Sequence, residues 1–148
     1  MDYDYKLVID NNILENYYKY YFSKHPRARN KPIKNPWHES INVWSILPRI
    51  QMNALKQKYK EFTVWWIKSL KLQNLKLEKI KLTFITYTPT KRRTDPDNYV
   101  PKFYLDGLTE SGFIADDDRN HIKKLSLICD VDKNNPRTEI LVKILKEE

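Results

Sequence analysis

Glycine, cysteine and histidine are scarce in this sequence, and it has no long apolar run. With two glycines among 148 residues, most turns must be built from Asn, Asp and Pro. The single cysteine, Cys129, excludes an internal disulfide framework and favours a reducing compartment. One cysteine and three histidines offer no spaced ligand pairs for tetrahedral zinc. The short apolar runs and the acidic start, MDYDYK, predict neither a membrane span nor a signal peptide. We therefore expect a soluble, cytoplasmic protein forming one domain over residues 1–148.

Positive charge is concentrated in the first part of the chain. The formal net charge is +8, made up of +9 over residues 1–90 and −1 over residues 91–148. The stretch 23–37 is rich in Lys and Arg and holds three prolines that oppose a helix. It is predicted to be an exposed basic loop, either simply solvated or a mobile arm on a phosphate backbone. The candidate DNA-binding residues are Lys24, Arg27, Arg29, Lys31, Lys34, Lys91, Arg92 and Arg93.

The periodicity of apolar residues predicts an α+β fold, with a mixed sheet of about four strands packed against a long helix and a shorter one. In the long helix, Pro48 suits the first helical position, and one apolar stripe recurs at three- and four-residue steps. The members of that stripe are Met52, Leu55, Tyr59, Phe62, Trp66 and Leu70. The predicted elements are strands at 5–9, 78–88, 122–131 and 137–145, and helices at 13–24, 48–71 and 97–111.

Two groups of carboxylates flank the shorter predicted helix. Asp95 and Asp97 precede it, and side chains two apart in an extended segment face the same way. The acidic run 116–118 follows the helix and is expected to fold back over its start. Such a cluster is electrostatically unfavourable unless a cation neutralises it or some of its carboxylates stay protonated. Oxygen ligands suit Mg²⁺, with Mn²⁺ as a possible substitute. Lys102 is a candidate for holding a scissile phosphate.

A purely structural interpretation of these residues is also open. The segment 95–98 has the composition of a turn and helix cap, and the run 116–118 that of a solvated loop. A calcium-binding loop starting at Asp116 is excluded, because His121 stands where glycine is needed and Leu127 where the bidentate Glu belongs.

The ordered motifs between residues 91 and 122 resemble the RusA family of Holliday junction resolvases. They are RRTDPDN at 92–98, Lys102, LDGL at 105–108 and SGFIADD at 111–117. The family shows a basic lead-in, D-x-D-N, a lysine, D-A-L and G-[IVF]-x-x-D-D in the same order. Two departures are visible: the lysine lies five residues after Asp97 instead of four, with Pro101 as the insertion, and the acidic run is one residue longer.

The resemblance implies a RusA-like fold and a homodimeric, Mg²⁺-dependent endonuclease that makes paired nicks in four-way DNA junctions. Because a junction has near two-fold symmetry, a C2 dimer supplies two related sites. The Lys-, Asn- and Ile-rich composition is compatible with an AT-rich bacterial or phage genome, so the expected location is the cytoplasm of a bacterial or phage-infected cell. The alternatives are a related nuclease acting on forks, flaps or other branched DNA, and a non-catalytic basic DNA-binding protein. The implied catalytic residues are Asp95, Asp97, Asp117 and Lys102, and the implied metal ligands are Asp95, Asp97, Asp117 and Asp116.

Overall fold

The computed structural model describes residues 2–91 and 95–146. Its strands form one mixed four-stranded sheet in the order β1-β4-β2-β3, which confirms the α+β class. The elements are β1 (Tyr5–Asp10), α1 (Asn11–Lys24), α2 (Ile41–Trp44), α3 (Arg49–Ser69), β2 (Ile80–Thr88), a 3₁₀ helix (Pro96–Tyr99), α4 (Lys102–Glu110), β3 (Ile122–Val131) and β4 (Arg137–Ile144).

Strand β2 is one of the two central strands of the sheet and follows its predicted alternation. Ile80, Leu82 and Phe84 are buried in the core, and Lys81 between them is exposed. β2 runs parallel to β3, to which it is joined through α4, and antiparallel to β4. Although β3 and β4 are consecutive in the chain, they are not neighbours, because β2 lies between them.

Helix α3 has the apolar stripe that the sequence predicts. Tyr59, Phe62 and Trp66 are buried, because residues three and four apart share one face of a helix. Its ends differ slightly from the prediction: Pro48 is the residue before the helix, and Leu70, the last predicted stripe residue, caps its end with 39% of its surface exposed. In the described part of the chain, no helix has both the length and the apolar composition needed to cross a membrane.

Helix α1 begins two residues earlier than predicted, because Asp10 caps it. The Asp10 Oδ1 atom accepts a hydrogen bond from the Ile13 N–H at 2.9 Å. Replacing Asp10 by Ala leaves that N–H without its acceptor and is expected to lower the free energy of unfolding by about 1 kcal/mol. Urea unfolding measures the loss. Asn16→Ala, at an exposed position in the same helix, is the control and should change stability by less than about 0.5 kcal/mol; equal losses would contradict the capping role.

The basic loop is only partly the exposed arm that the sequence predicts. Its Lys and Arg side chains are exposed, but Pro32, Ile33 and Pro36 are buried. The Tyr18 hydroxyl donates to the Ile33 carbonyl, and Thr138 Oγ1 donates to the Pro36 carbonyl at 2.7 Å. The mobile-arm interpretation is therefore wrong for the second half of the loop, because apolar residues between the charged ones pack into the core.

The predicted helix at 97–111 is divided into two. The 3₁₀ helix ends at Tyr99 and α4 begins at Lys102, with Pro101 as the residue before it. A proline disfavours helical backbone in the residue before it, and Val100 is extended, with φ −57° and ψ 121°. The short helix α2 was not predicted, because four residues are too few to show a helical period.

Candidate active site

The two aspartates of the DPDN motif lie at the 3₁₀ helix, beside the carboxyl end of β3. Asp95 directly precedes the 3₁₀ helix and Asp97 is in its first turn; both are exposed. Burial of the thiol, together with the negative charges of Asp95 and Asp97, raises the pKa of Cys129. Both carboxylates therefore lie near the same β3 residue.

Lys102 is the first residue of α4 and is exposed. Relative to the RusA pattern, one extra residue separates Lys102 from Asp97, and it is accommodated between the two helices. Pro101 is buried there as the residue before α4, and its carbonyl accepts the Leu105 N–H at 2.9 Å, the first hydrogen bond of the helix. The lysine therefore stands at the N-terminus of α4, directly after the turn that holds the two aspartates.

His38 holds the start of α4 from a distant part of the chain. Its Nε2 accepts the Phe103 N–H at 3.0 Å. The proton is therefore on Nδ1, which lies 2.8 Å from the Glu39 carbonyl oxygen and donates to it. Burial lowers the pKa of His38 to about 4, although the hydrogen bond to Glu39 opposes the shift. The ring is stacked on that of Tyr59, with centroids 5.0 Å apart.

No local pattern in the sequence indicates this role of His38. The imidazole and the Phe103 N–H that it accepts are 65 residues apart, and a capping motif is recognised only when the cap is local. The contact arises because the segment before α2 and the start of α4 pack together against α3.

The acidic run is brought back along α4 by the turn that ends this helix. Gly112, with φ +75°, follows the helix as predicted, and the Phe113 N–H donates to the Leu108 carbonyl at 3.1 Å. This is the pattern of a Schellman motif, which requires a left-handed residue. The next residues pair with 74–77 in a short parallel ladder, in which Leu77 pairs with Ile114. The chain therefore reverses before Asp116.

Asp117 lies close to Asp106, one turn into α4. Desolvation, a hydrogen bond with Asp116, and the negative charges of Asp106 and Asp116 raise the pKa of Asp117. Among the described residues, Asp106 Oδ2 is buried and accepts no hydrogen bond; Lys56 Nζ lies 3.8 Å from it. Lys102 and Asp106 share one helix face, so the acidic run lies beside the first turn of α4.

The structure gathers a different set of possible ligands from the predicted one. Within residues 2–91 and 95–146, the group whose ligand atoms all lie within 4.8 Å of one another is Asp116, Asp118 and His121. Of the four predicted metal ligands, only Asp116 belongs to it. Asp95, Asp97 and Asp117 do not form such a group in the described chain.

We interpret the group at His121 as an ion-paired turn. His121 Nδ1 lies 2.6 Å from Asp118 Oδ1, and its Nε2 lies 3.6 Å from Glu78 Oε2. The hydrogen bond to Asp118 is the main cause that raises the pKa of His121. Both ring nitrogens of His121 already face carboxylates, and a ring nitrogen that donates to a carboxylate is not available to bind a metal.

The chemistry of the predicted donor set nevertheless fits a hard cation. Asp95, Asp97 and Asp117 offer oxygen atoms alone, the ligands that Mg²⁺ prefers. Desolvation is the first cause of the raised pKa of Asp117, and repulsion by the negative charges of Asp106 and Asp116 adds to it. A divalent cation held by these carboxylates would remove that repulsion.

The predicted DNA-binding side chains lie at the surface wherever the structure describes them. Two of the lysines lie over tyrosine rings: Lys31 Nζ is 4.8 Å from the Tyr18 ring centroid and Lys24 Nζ is 5.8 Å from that of Tyr20. Arg92 and Arg93 lie outside the described residues. The exposed members are Lys24, Arg27, Arg29, Lys31, Lys34 and Lys91.

Gly107 lets α4 approach α3 closely. A Cβ atom at Gly107 would lie 2.4 Å from Thr63 Cβ and 2.7 Å from Thr63 Cγ2. Ala is favoured over Gly in a helix by about 1 kcal/mol, but the helices would have to separate. We expect Gly107→Ala to lower the free energy of unfolding by about 2 kcal/mol, measured in urea. Thr109→Ala, on the outer side of α4, is the control; a stabilised Gly107→Ala variant would contradict this packing.

Comparison with protein-family models and with curated proteins finds no match for this chain. The resemblance to the RusA family therefore rests on the motifs between residues 91 and 122. The function is argued below from these motifs and from the arrangement around α4.

Proposed function

We propose that the protein is a divalent-metal-dependent endonuclease of branched DNA, of the Holliday junction resolvase type. One observation carries the proposal: the turn with Asp95 and Asp97 leads directly into α4, which begins with Lys102. The acidic run lies beside Asp106, one turn further along the same helix. Carboxylates thus precede Lys102 in the chain and lie beside Asp106 of the same helix, which supports the proposal together with the RusA-like motif order.

In this proposal the carboxylates around α4 would bind the cation, and the lysine at its start would bind the phosphate. Asp95, Asp97 and Asp117 would hold Mg²⁺, with Asp116 beside them. The ion would neutralise these carboxylates, polarise a phosphoryl oxygen and favour deprotonation of an attacking water. The exposed ammonium group of Lys102 would bind the scissile phosphate and stabilise its developing negative charge.

The proposed partner is branched DNA bound by a homodimer. The basic loop would contact phosphates, which fix position and orientation without reading the base sequence. The excess of +9 over residues 1–90 supports this electrostatic binding. Two copies related by two-fold symmetry would place two active sites on opposite strands of a four-way junction.

Cleavage of labelled DNA tests the proposal. A synthetic four-way junction is incubated with the protein in Mg²⁺, in Mn²⁺ and in EDTA, beside duplex, fork and flap substrates of the same arm sequence. The expected result is a pair of symmetric nicks in the junction, present with either cation and absent in EDTA. Light scattering of the protein alone should give the mass of a dimer.

The substrate panel distinguishes the two nuclease alternatives. If forks or flaps were cleaved in preference to the junction, the proposed active site would stand. The proposed substrate would then be another branched DNA and not the four-way junction. Absence of scission in every substrate with both cations would overturn the nuclease proposal.

A non-catalytic DNA-binding protein is the second candidate, and one observation favours it. Within the described chain, Asp95, Asp97 and Asp117 do not form a compact ligand group. A structural acidic cluster predicts that Mg²⁺ raises the melting temperature without supporting scission, whereas a catalytic cluster predicts both effects. Melting curves and cleavage assays on the same preparation separate these outcomes.

A further inference from the structure

A positively charged pocket lies between the basic loop and the first half of α3. Its volume is about 460 Å³, within the range of about 300–1,000 Å³ typical of small-molecule sites. Three lysines line it, Lys31, Lys34 and Lys58, against a single acidic residue, Glu39. Trp37 contributes an aromatic wall. The pocket therefore combines net positive charge with a planar apolar surface.

The walls of this pocket are held by buried contacts of the loop. Pro32 and Ile33, which line it, are buried, and the Ile33 carbonyl accepts the Tyr18 hydroxyl. Directly before Trp37, the Pro36 carbonyl accepts a hydrogen bond from Thr138 Oγ1 at 2.7 Å. Directly after it, His38 is held by the Phe103 N–H, which donates to its Nε2 at 3.0 Å. Because the backbone is fixed on both sides of Trp37, the pocket is preformed.

The pocket adjoins the candidate active site. Its lining residues Trp37 and Glu39 are the immediate neighbours of His38, which accepts the Phe103 N–H at the start of α4. A few residues further along, Asn42 Nδ2 donates to Asn98 Oδ1 of the DPDN motif at 3.4 Å. One continuous segment thus connects the pocket to the aspartates and to Lys102.

We propose that this pocket binds one nucleotide with an unstacked base, with its phosphate at the lysines and its base against Trp37. A nucleotide is the ligand class that presents both an anion and a planar aromatic face, and bases stack on aromatic side chains in single-strand sites. The source is either a free nucleotide or an unpaired nucleotide of a DNA strand that crosses the carboxylates. The second source rests on the proposed nuclease function and would favour branch points, where bases are unpaired.

Binding is measured in EDTA, where no scission is expected, by fluorescence anisotropy of a labelled oligothymidylate and of a duplex of equal length. Trp37→Leu and Lys58→Ala are each expected to weaken binding of the single strand by about 5-fold or more. Trp37→Leu should leave duplex binding little changed. Lys68→Ala is the matched control, because this exposed lysine is on the same helix about 15 Å away.

A second arm compares a whole nucleotide with a bare anion as competitors for the pocket. Unlabelled thymidine monophosphate is expected to compete for the labelled strand, and inorganic phosphate at the same concentration is not. If thymidine monophosphate and inorganic phosphate competed to the same extent, the pocket would bind only an anion, and the proposal would be overturned. Equal losses for Lys58→Ala and Lys68→Ala, or equal losses of single-strand and duplex binding for Trp37→Leu, would also overturn it.

Two further variants separate a role in ligand binding from a role in folding, and the pocket inference from the nuclease proposal. Trp37→Phe retains an aromatic wall and should restore most of the single-strand affinity, which a purely structural role in folding does not require. Asp97→Asn is assayed in parallel for scission. If wild type cuts junctions and the pocket variants bind like wild type, the pocket inference fails alone. If wild type cuts nothing and the pocket variants lose binding, the nuclease proposal fails alone.

Discussion

Replacing Asp97 by Asn is expected to reduce Mg²⁺-dependent scission of a four-way junction by about 100-fold or more. The substitution keeps the size of the side chain and removes the negative charge that, in the proposed mechanism, holds a hard cation. Because Asp97 is exposed, the free energy of unfolding should change by less than about 0.5 kcal/mol. Rates are measured under single-turnover conditions, and junction binding is measured in EDTA.

The neighbouring strand offers a matched control for this experiment. Asp130 is also exposed, and it directly follows Cys129 on β3, so its side chain points to the opposite face of the sheet. Asp130→Asn should cut junctions at the wild-type rate. If Asp97→Asn retained the wild-type rate in Mg²⁺, the assignment of this aspartate to the metal would be wrong. If Asp97→Asn instead bound the junction more weakly than wild type in EDTA, this aspartate would have a role in holding DNA.

The largest expected pH effect on stability comes from His38. The folded protein holds its pKa at about 4, below the ordinary value of 6.5, so only the unfolded chain takes up the proton between these values. Stability is therefore complete above about pH 6.5 and falls as the pH decreases toward 4. The difference between the two pKa values corresponds to about 3 kcal/mol. Urea unfolding over this pH range measures it.

The variant His38→Gln isolates this contribution. It removes the titrating group, and its amide oxygen can still accept the Phe103 N–H. It is expected to be less stable than wild type at neutral pH by about 1 kcal/mol, and the difference should shrink or reverse as the pH falls. Parallel losses of stability in the two proteins would contradict a buried, neutral imidazole. The ion pair with Asp118 raises the pKa of His121, so it contributes stability below about pH 6.5 while Asp118 remains ionised, and this contribution is lost as the pH rises. His121→Gln should therefore lose stability relative to wild type at about pH 5 to 6 more than at about pH 8.

Much of the fold could be predicted from local patterns. The burial of Tyr59, Phe62 and Trp66 follows from their spacing, because a helix of 3.6 residues per turn has only one face toward the core. The inward residues of β2 follow from a period of two. Gly112 marks the end of α4, because a left-handed backbone favours glycine. These features depend on neighbours within a few residues, which the sequence displays directly.

Other features were decided only when distant segments packed together. The division of the predicted helix at Pro101 has a local cause, but where α4 begins depends also on its packing. His38 binds the start of this helix across 65 residues, and the pocket with Trp37 and Lys58 forms between two separate elements. The sequence marked Asp95, Asp97, Asp117 and Lys102 as a group by their order and chemistry. Their relative positions depend on the return of the chain after Gly112, and such long-range contacts leave no periodic pattern in the sequence.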